Sequence, residues 1–407
     1  MKIMTSPKGL CAELAEAYGQ AAEKSVLAAL NPGIFFGYSS VTADGIGHGK
    51  NTTFPGLDWG QSADALLWLG RTAEVLASWE HVTGMQREDG LLPFAIIPRL
   101  AGKTSTMAEH CTLTADARGA IFRHWVPGNP LRTLANVTVL ELAEAIYWHT
   151  GERKWLVQQA AMLARTADWL IGQVNEEGLV HGAGYYVERP TRVEFDGVNQ
   201  CCSARALQIA AELLDIAKYP AEAQRCAATA DRIVACFRER FWAGDHCVEY
   251  IHPERGAVSH HGLTDVDWAA VATGVLRPEQ ESILWPILRR DPGFLYGGMP
   301  TGIATRPETY EAWEFSHNDR MDLAAMGRVW YLECQARARM GDRKGLMDSL
   351  YRVCKVGREN GYNWRERYNA QGGFGVEWYC EYPANLIRVV HRFVLESGST
   401  GIGEESS

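Results

Sequence analysis

The chain from Gly361 to Pro383 reads G-Y-N-W-R-E-R-Y-N-A-Q-G-G-F-G-V-E-W-Y-C-E-Y-P. It gathers three carboxylates (Glu366, Glu377, Glu381), two tryptophans (Trp364, Trp378), several Tyr and Phe and a Gly-Gly-Phe-Gly run between two stretches of helical apolar spacing. Aromatic faces suit the apolar side of a sugar ring, and a carboxylate beside them can accept a proton from water. The stretch reads as a functional loop carried on a helical frame.

Outward from it, Ala, Leu and Trp recur at three- and four-residue steps, and no run of alternating strand character stands out. Twelve helices are expected, near residues 8–30, 61–83, 106–122, 132–150, 154–175, 197–217, 221–241, 264–274, 278–290, 317–340, 343–359 and 382–397. Short links (Gly151–Arg153, Lys218–Pro220, Val275–Pro278, Gly341–Arg343) alternate with long ones (Asn31–Gly60, Asn175–Asp196, Ala243–Gly262, Asp291–Ser316, Gly361–Tyr382), and each long one precedes an even-numbered helix. Even helices running parallel in one ring, with odd helices returning outside, would collect all long loops at one end. The expectation is an all-α chain folded as a single (α/α)6 toroid over residues 1–397, with a flexible tail at 398–407. The segment Thr83–Ser105 breaks the alternation, being long yet ahead of an odd helix.

With 407 residues, 46% of them hydrophobic, the chain can bury a large core. A net charge of −9 gives no basic footprint for nucleic acid or an anionic membrane. Met1–Pro7 leads directly into an amphipathic run, no segment is apolar enough to cross a bilayer, and the expected compartment is the cytoplasm. The ten cysteines show no C-x-x-C pairing and no histidine at ligand spacing, so they read as reduced core residues, and neither metal nor cofactor is expected. The partner expected is a small carbohydrate, with self-association left open.

Cleaving a glycosidic bond takes one carboxyl group to protonate the departing oxygen and another to activate water, in environments that set their charges apart. Glu366, flanked by Arg365 and Arg367, suits the ionised base. For the acid, Glu188 follows the apolar Gly184-Tyr185-Tyr186-Val187; Asp196 is the alternative, although it stands where a helix N-cap belongs, and Glu194 ranks third. Tyr38, Trp59, Trp125, Tyr186, Trp313, Trp364 and Trp378 are candidates for a sugar-stacking wall. Asp64, Glu311, His317 and Asn318 are candidates for bonding sugar hydroxyls, with Asp58 and Asp64 equally explicable as helix caps.

Four segments carry a family resemblance: F-P-G-L-D-W-G-Q-S-A-D-A-L-L-W-L-G-R; V-E-F-D-G-V-N-Q-C-C-S-A-R-A-L-Q-I-A-A-E-L-L with the following helix ending F-R-E-R-F-W; L-T-D-V-D-W-A-A-V-A-T-G-V-L; and N-W-R-E-R-Y-N-A-Q-G-G-F-G. In order and character they resemble the (α/α)6-barrel glycosidases, in particular trehalases, glycogen-debranching glucosidases, and the family of processing α-glucosidase I and mannosylglycerate hydrolase. The resemblance implies an inverting hydrolase acting on a small α-glycoside or an oligosaccharide end. It assigns the base to Glu366, ahead of Arg367-Tyr368 and a Gly-rich stretch, and the acid to Glu188, where the relatives more often carry Asp. Inversion implies carboxyl groups about 6.5–9.5 Å apart.

The same barrel supports other chemistry. A sugar epimerase of the N-acylglucosamine 2-epimerase type would use a pair of histidines from His124, His181, His260, His261 and His317. An unsaturated-uronide hydrolase would need an anion site such as Arg189 or Arg192. A non-catalytic carbohydrate-binding protein would show an aromatic cleft with no carboxylate pair across it.

Overall fold

A computed structural model describes residues 7–30, 42–45, 52–108, 111–126, 128–129, 131–182, 194–315 and 323–395. The helices are α1 (Ala12–Gln20, continued by a π-helical segment Ala21–Val26), α2 (Trp59–Trp68), α3 (Thr72–Thr83), α4 (Leu134–Thr150), α5 (Arg153–Ile171), α6 (Gly197–Ile216), α7 (Pro220–Arg240), α8 (Asp265–Thr273), α9 (Pro278–Leu288), α10 (Gly327–Arg339), α11 (Arg343–Glu359) and α12 (Glu381–Val389, continued as a π-helix over Val390–Leu395). The even helices form a closed ring: α2 packs on α4, α4 on α6, α6 on α8, α8 on α10, α10 on α12, and α12 returns to α2. Odd helices lie outside it.

Sequence decides which helix goes where. In α8 every residue from Asp265 to Ala272 is buried, the mark of a helix enclosed on all faces. In α11 burial is confined to Leu346, Ser349, Leu350, Val353, Cys354, Val356 and Gly357, close to the three- and four-residue stripe of a helix with one wet side. The ring also needs small residues at its contacts. A Cβ on Gly327, the first residue of α10, would stand 2.8 Å from the Tyr382 amide nitrogen and 3.0 Å from the Glu381 carbonyl carbon of α12.

The structure corrects two expected elements, and the corrections restore the alternation of loops. Residues 61–83 form two helices, not one, because Gly70 takes φ +72° and turns the chain between α2 and α3. The described residues of 106–122 are not helical. Strand β2 (Thr104–Ala108) pairs antiparallel with β3 (Cys111–Thr114), matching Thr104 with Thr114 and Thr106 with Thr112, while β1 (Ala95–Ile96) pairs with β4 (Ala120–Ile121). β-branched threonines at alternate positions outweighed an accidental helical spacing. Residues 84–133 thus become one long connection ahead of an even helix, and Thr83–Ser105 ceases to be an exception. Helix α10 begins at Gly327, ten residues later than expected from 317, and the expected tail 398–407 lies outside the described residues.

At the end where the inner helices start, the long loops are stitched together. Strands β5 (Phe195–Asp196), β6 (Tyr250–His252) and β7 (Gly256–Val258) join the segments before α6 and α8, and β8 (Arg367–Asn369) pairs with β9 (Gly372–Phe374) in the quoted stretch. Single bridges link Thr53 to Ile96, Thr264 to Ala304, Ala325 to Tyr368 and Thr42 to Tyr379, each tying neighbouring loops. Eight described cysteines besides Cys202, namely Cys11, Cys201, Cys226, Cys236, Cys247, Cys334, Cys354 and Cys380, are free thiols, all buried except Cys11. No helix among the described residues is long and apolar enough to cross a membrane.

Because the Gly327 contact is with backbone, it cannot be relieved by turning a side chain. Gly327→Ala is expected to cost about 1–3 kcal/mol in denaturant unfolding, whereas Gly19→Ala in α1, with open space around its Cβ, is expected to be neutral or to stabilise by up to about 1 kcal/mol.

Candidate functional site

Three inner helices begin on one buried ion cluster. Arg328, second residue of α10, donates from its backbone amide (2.7 Å) and from Nε (2.6 Å) to Glu381 Oε1 at the start of α12. Its Nη2 lies 3.2 Å from Asp58 Oδ1, just ahead of α2, and the Tyr379 hydroxyl donates to the second Asp58 oxygen. All four side chains are buried. Burial disfavours the charged guanidinium, but Glu381 and Asp58 more than offset it, and the Arg328 pKa rises above its ordinary value. Burial, with Asp58 nearby, raises the Glu381 carboxyl in spite of Arg328. Asp58 makes no side-chain cap bond to α2. Its charge is spent on Arg328 and Tyr379 instead.

Glu366 sits beside this cluster. Its amide donates to the Val376 carbonyl (3.0 Å), its Oε2 accepts from the Val376 amide (3.3 Å), and its Oε1 lies 3.2 Å from Arg367 Nη2. A Cβ at Gly375, where φ is +77°, would stand 2.9 Å from Glu366 Oε2, so glycine makes room for the carboxylate. The Glu366 side chain is 16% exposed, enough to meet a water. Its charge and that of Asp58 both add to the burial that pushes the Tyr379 phenol upward, which locates Glu366 in the same electrostatic neighbourhood. Of the two flanking arginines only Arg367 serves it: Arg365 pairs with Glu377 at 2.6 Å, a departure from the expected double clamp.

The other sequence candidates divide by burial. Trp59 and Trp364 are core residues, not wall: Trp59 stacks on Trp79 of α3 and donates to Ser78 Oγ (3.3 Å), and Trp364 packs on Gly357 of α11. Asp196 is buried and caps α6, accepting from the Asn199 amide at 2.9 Å. Trp125, Trp313 and Trp378 are half-buried. Trp125 packs edge-on against Phe54 and Phe94, the Arg255 guanidinium covers Trp313 at 3.9 Å, and Trp378 has φ +53° with its amide on Asn363 Oδ1 (2.7 Å). Glu311 is exposed and accepts from Trp313 Nε1 at 2.5 Å. Tyr38, Tyr186, Glu188, His317 and Asn318, with Arg189 and Arg192, lie outside the described residues. Among described histidines, His124 Nδ1 accepts from the Val126 amide (3.0 Å) and His181 pairs with Glu194 (2.7 Å).

Asp64 is neither a cap nor open to solvent. It lies inside the ring, with Oδ2 2.6 Å from Arg388 Nε and both oxygens within 3.1 Å of Arg392 Nη2. Burial opposes its charge, yet the two guanidiniums hold its carboxyl below the usual range. With Glu141, Glu144 and Arg205 these residues line a cavity of about 450 Å³. Arg328, Arg388 and Arg392 escaped the sequence reading because nothing local marks them as buried: α10 carries Glu333, Gln335, Arg337 and Arg339 besides Arg328, and Arg388 and Arg392 look like the polar side of a helix end. The four-residue step from Arg388 to Arg392 was the one signal present.

No protein-family model and no curated protein matches the sequence. Solved structures do match in fold. The mannosylglycerate hydrolase of family GH63 from Thermus thermophilus, in complex with glucose, superposes with a TM-score of 0.64 at 13% identity over 90% of this chain and 99% of its own. A rhamnosidase from Klebsiella oxytoca with rhamnose bound gives 0.66 at 12% identity over 97% of this chain. A GH78 rhamnosidase of Bacillus sp. GL1 gives 0.65 at 14% over 94%. The chain spans 65% of the Klebsiella protein and 35% of the Bacillus one. The fold is therefore that of the (α/α)6-barrel glycoside hydrolases.

Two outcomes follow from these charges. Removing Arg328 strands two carboxylates in the interior, so Arg328→Met is expected to lose about 3–5 kcal/mol in urea unfolding; a loss below about 1 kcal/mol would contradict the cluster's role. Burial, reinforced by Glu144 and opposed by Arg388, pushes Glu141 from 4.5 up to about 7. The folded state then holds that proton longer than the unfolded chain, so stability falls as pH rises from about 4.5 to 7, by at most about 3 kcal/mol. Glu141→Gln is expected to flatten that slope in unfolding measured across the window.

Proposed function

We propose that the protein is an inverting glycoside hydrolase acting on a small α-glycoside or an oligosaccharide end, with Glu366 as general base and Glu188 as general acid. The observation that carries this reading is the setting of Glu366. It projects from a hairpin at the loop-bearing end of the barrel, paired with Arg367, held by the Val376 amide, and still in reach of water. A carboxylate so placed can take a proton from a water attacking the anomeric carbon. Arg367 and the amide fix the direction of the carboxylate, as a base that must meet one water requires.

Glu188 is the preferred acid because Asp196, its competitor, is engaged in capping α6. In an inverting pair the two carboxyl groups stand about 6.5–9.5 Å apart, leaving space for the nucleophilic water. Trp125 and Trp378 are the described aromatics best kept as stacking surfaces, and Trp313 offers the face that Arg255 leaves open. The structural neighbours support the substrate class, since two were solved with a monosaccharide, glucose or rhamnose. We take the cytoplasm as its compartment, because reduced buried thiols such as Cys201, Cys226, Cys334 and Cys354 are the form that a reducing environment keeps.

The test is turnover of a panel of small α-glycosides, with the released anomer followed by NMR. The wild type is expected to release the inverted anomer first, and Glu366→Gln and Glu188→Gln each to lose about 10²–10⁴-fold in kcat with folding intact. Unchanged turnover in Glu366→Gln removes the base assignment.

A further inference from the structure

The segments ahead of α8 and α10 bring together three ligand-type side chains that the hydrolytic reading leaves unused. His260 and His261 lie in the loop leading to α8, and Glu314 ends a short 3-10 turn, Ala312–Glu314, in the loop leading to α10. One ligand atom from each lies within 4.8 Å of the other two. His261 and Glu314 are buried and His260 is exposed, so the group opens to water on one side only.

His261 decides what the group is for. Its Nδ1 is 2.5 Å from Glu249 Oε2, and the other Glu249 oxygen accepts from the Tyr310 hydroxyl at 2.8 Å. The ring stacks on Tyr310 with centroids 3.6 Å apart, so it cannot turn away. That leaves Nε2, a buried nitrogen 3.4 Å from Glu314 Oε2 but not aligned for a hydrogen bond to it. A charged hydrogen bond between them would close to about 2.7–2.9 Å. The observed gap is instead the separation of two ligands each about 2.0–2.1 Å from one tetrahedral ion. Glu314 is fixed for such a role: the Tyr250 hydroxyl donates to Oε1, and the Glu311 amide donates to Oε2 at 2.7 Å.

We propose that His260, His261 and Glu314 bind a divalent transition-metal ion of the zinc type, with Glu249 orienting His261 from behind. A carboxylate supporting a histidine through its second nitrogen is the usual backing of a metal ligand. Two nitrogen donors with one carboxylate select zinc and its neighbours over calcium or magnesium, which prefer all-oxygen sites. His261 Nε2 and Glu314 Oε2 stand 3.4 Å apart, and His260 brings its ligand atom within 4.8 Å of the others from the exposed side. Water completes the coordination, and the ion ties the loop before α8 to the loop before α10.

The test uses the full chain stripped with a chelator and titrated calorimetrically with zinc chloride, with thermal unfolding followed in parallel. One ion per chain and a zinc-dependent rise in Tm are expected. His260→Ala, a change at an exposed side chain, is expected to fold normally and bind at least about tenfold more weakly, and Glu249→Gln about 10–100-fold more weakly. Glu366→Gln is expected to bind zinc as the wild type does, so the metal site stands or falls apart from the hydrolase reading. Absence of saturable binding, tighter binding of calcium than zinc, or wild-type affinity in His260→Ala would each overturn the proposal.

Discussion

The fold depends on how one guanidinium is neutralised. Arg328 enters the interior at the N-terminus of α10, where the helix dipole already disfavours a cation. Burying it there is tolerable only because Glu381 and Asp58 reach it from the starts of α12 and α2, positions at which the dipole favours anions. The cluster thus fixes the relative placement of three of the six inner helices at the end that carries the long loops. Two bridges continue the restraint outward: Thr42 pairs with Tyr379, whose hydroxyl completes the Asp58 shell, and Ala325 pairs with Tyr368 in the hairpin that presents Glu366. Both bridges brace the stretch that presents Glu366.

The same wiring explains why Glu366 differs from the carboxylates around it. Asp58 and Glu381 are sealed from water and committed to Arg328, and Asp64 is held by Arg388 and Arg392 in the barrel interior. Glu377 pairs with Arg365 at the surface. Glu366 alone among these combines a cation, a backbone donor and access to solvent. That is the combination a water-activating base requires.

Much of the architecture was legible because loop length is a direct readout of barrel topology. Short links turn a helix back along its neighbour, while long ones must cross the end of the ring, so the alternation exposed the hairpin repeat before any contact was known. What was misread had local causes. Gly70 looked like one tolerable glycine in a long helix, and only its positive φ reveals the turn between α2 and α3. The threonines at 104, 106, 112 and 114 form a hairpin through pairing at a distance, which single-strand periodicity conveys poorly. At the site, Asp58 and Asp64 resembled caps because a carboxylate near a helix start usually is one. Their arginine partners lie some 270 to 330 residues away in sequence. Trp59 and Trp364 show the converse limit: composition marks an aromatic-rich loop but does not say which ring faces the core. His260 and His261 stood out in the sequence as adjacent loop histidines, but their proximity to Glu314, some fifty residues on, is set by the packing of two loops and has no local motif.

The most direct test of the central claim, that Glu366 works as a base across a water-sized gap from an acid, is a crystal structure with a monosaccharide or an inhibitory sugar analogue bound. The account predicts the sugar at the loop-bearing end, with the Glu366 carboxylate about 6.5–9.5 Å from that of Glu188 and a water between Glu366 and the anomeric carbon. A sugar seated elsewhere, or a Glu366 carboxylate with no acidic group facing it across the sugar, would contradict it.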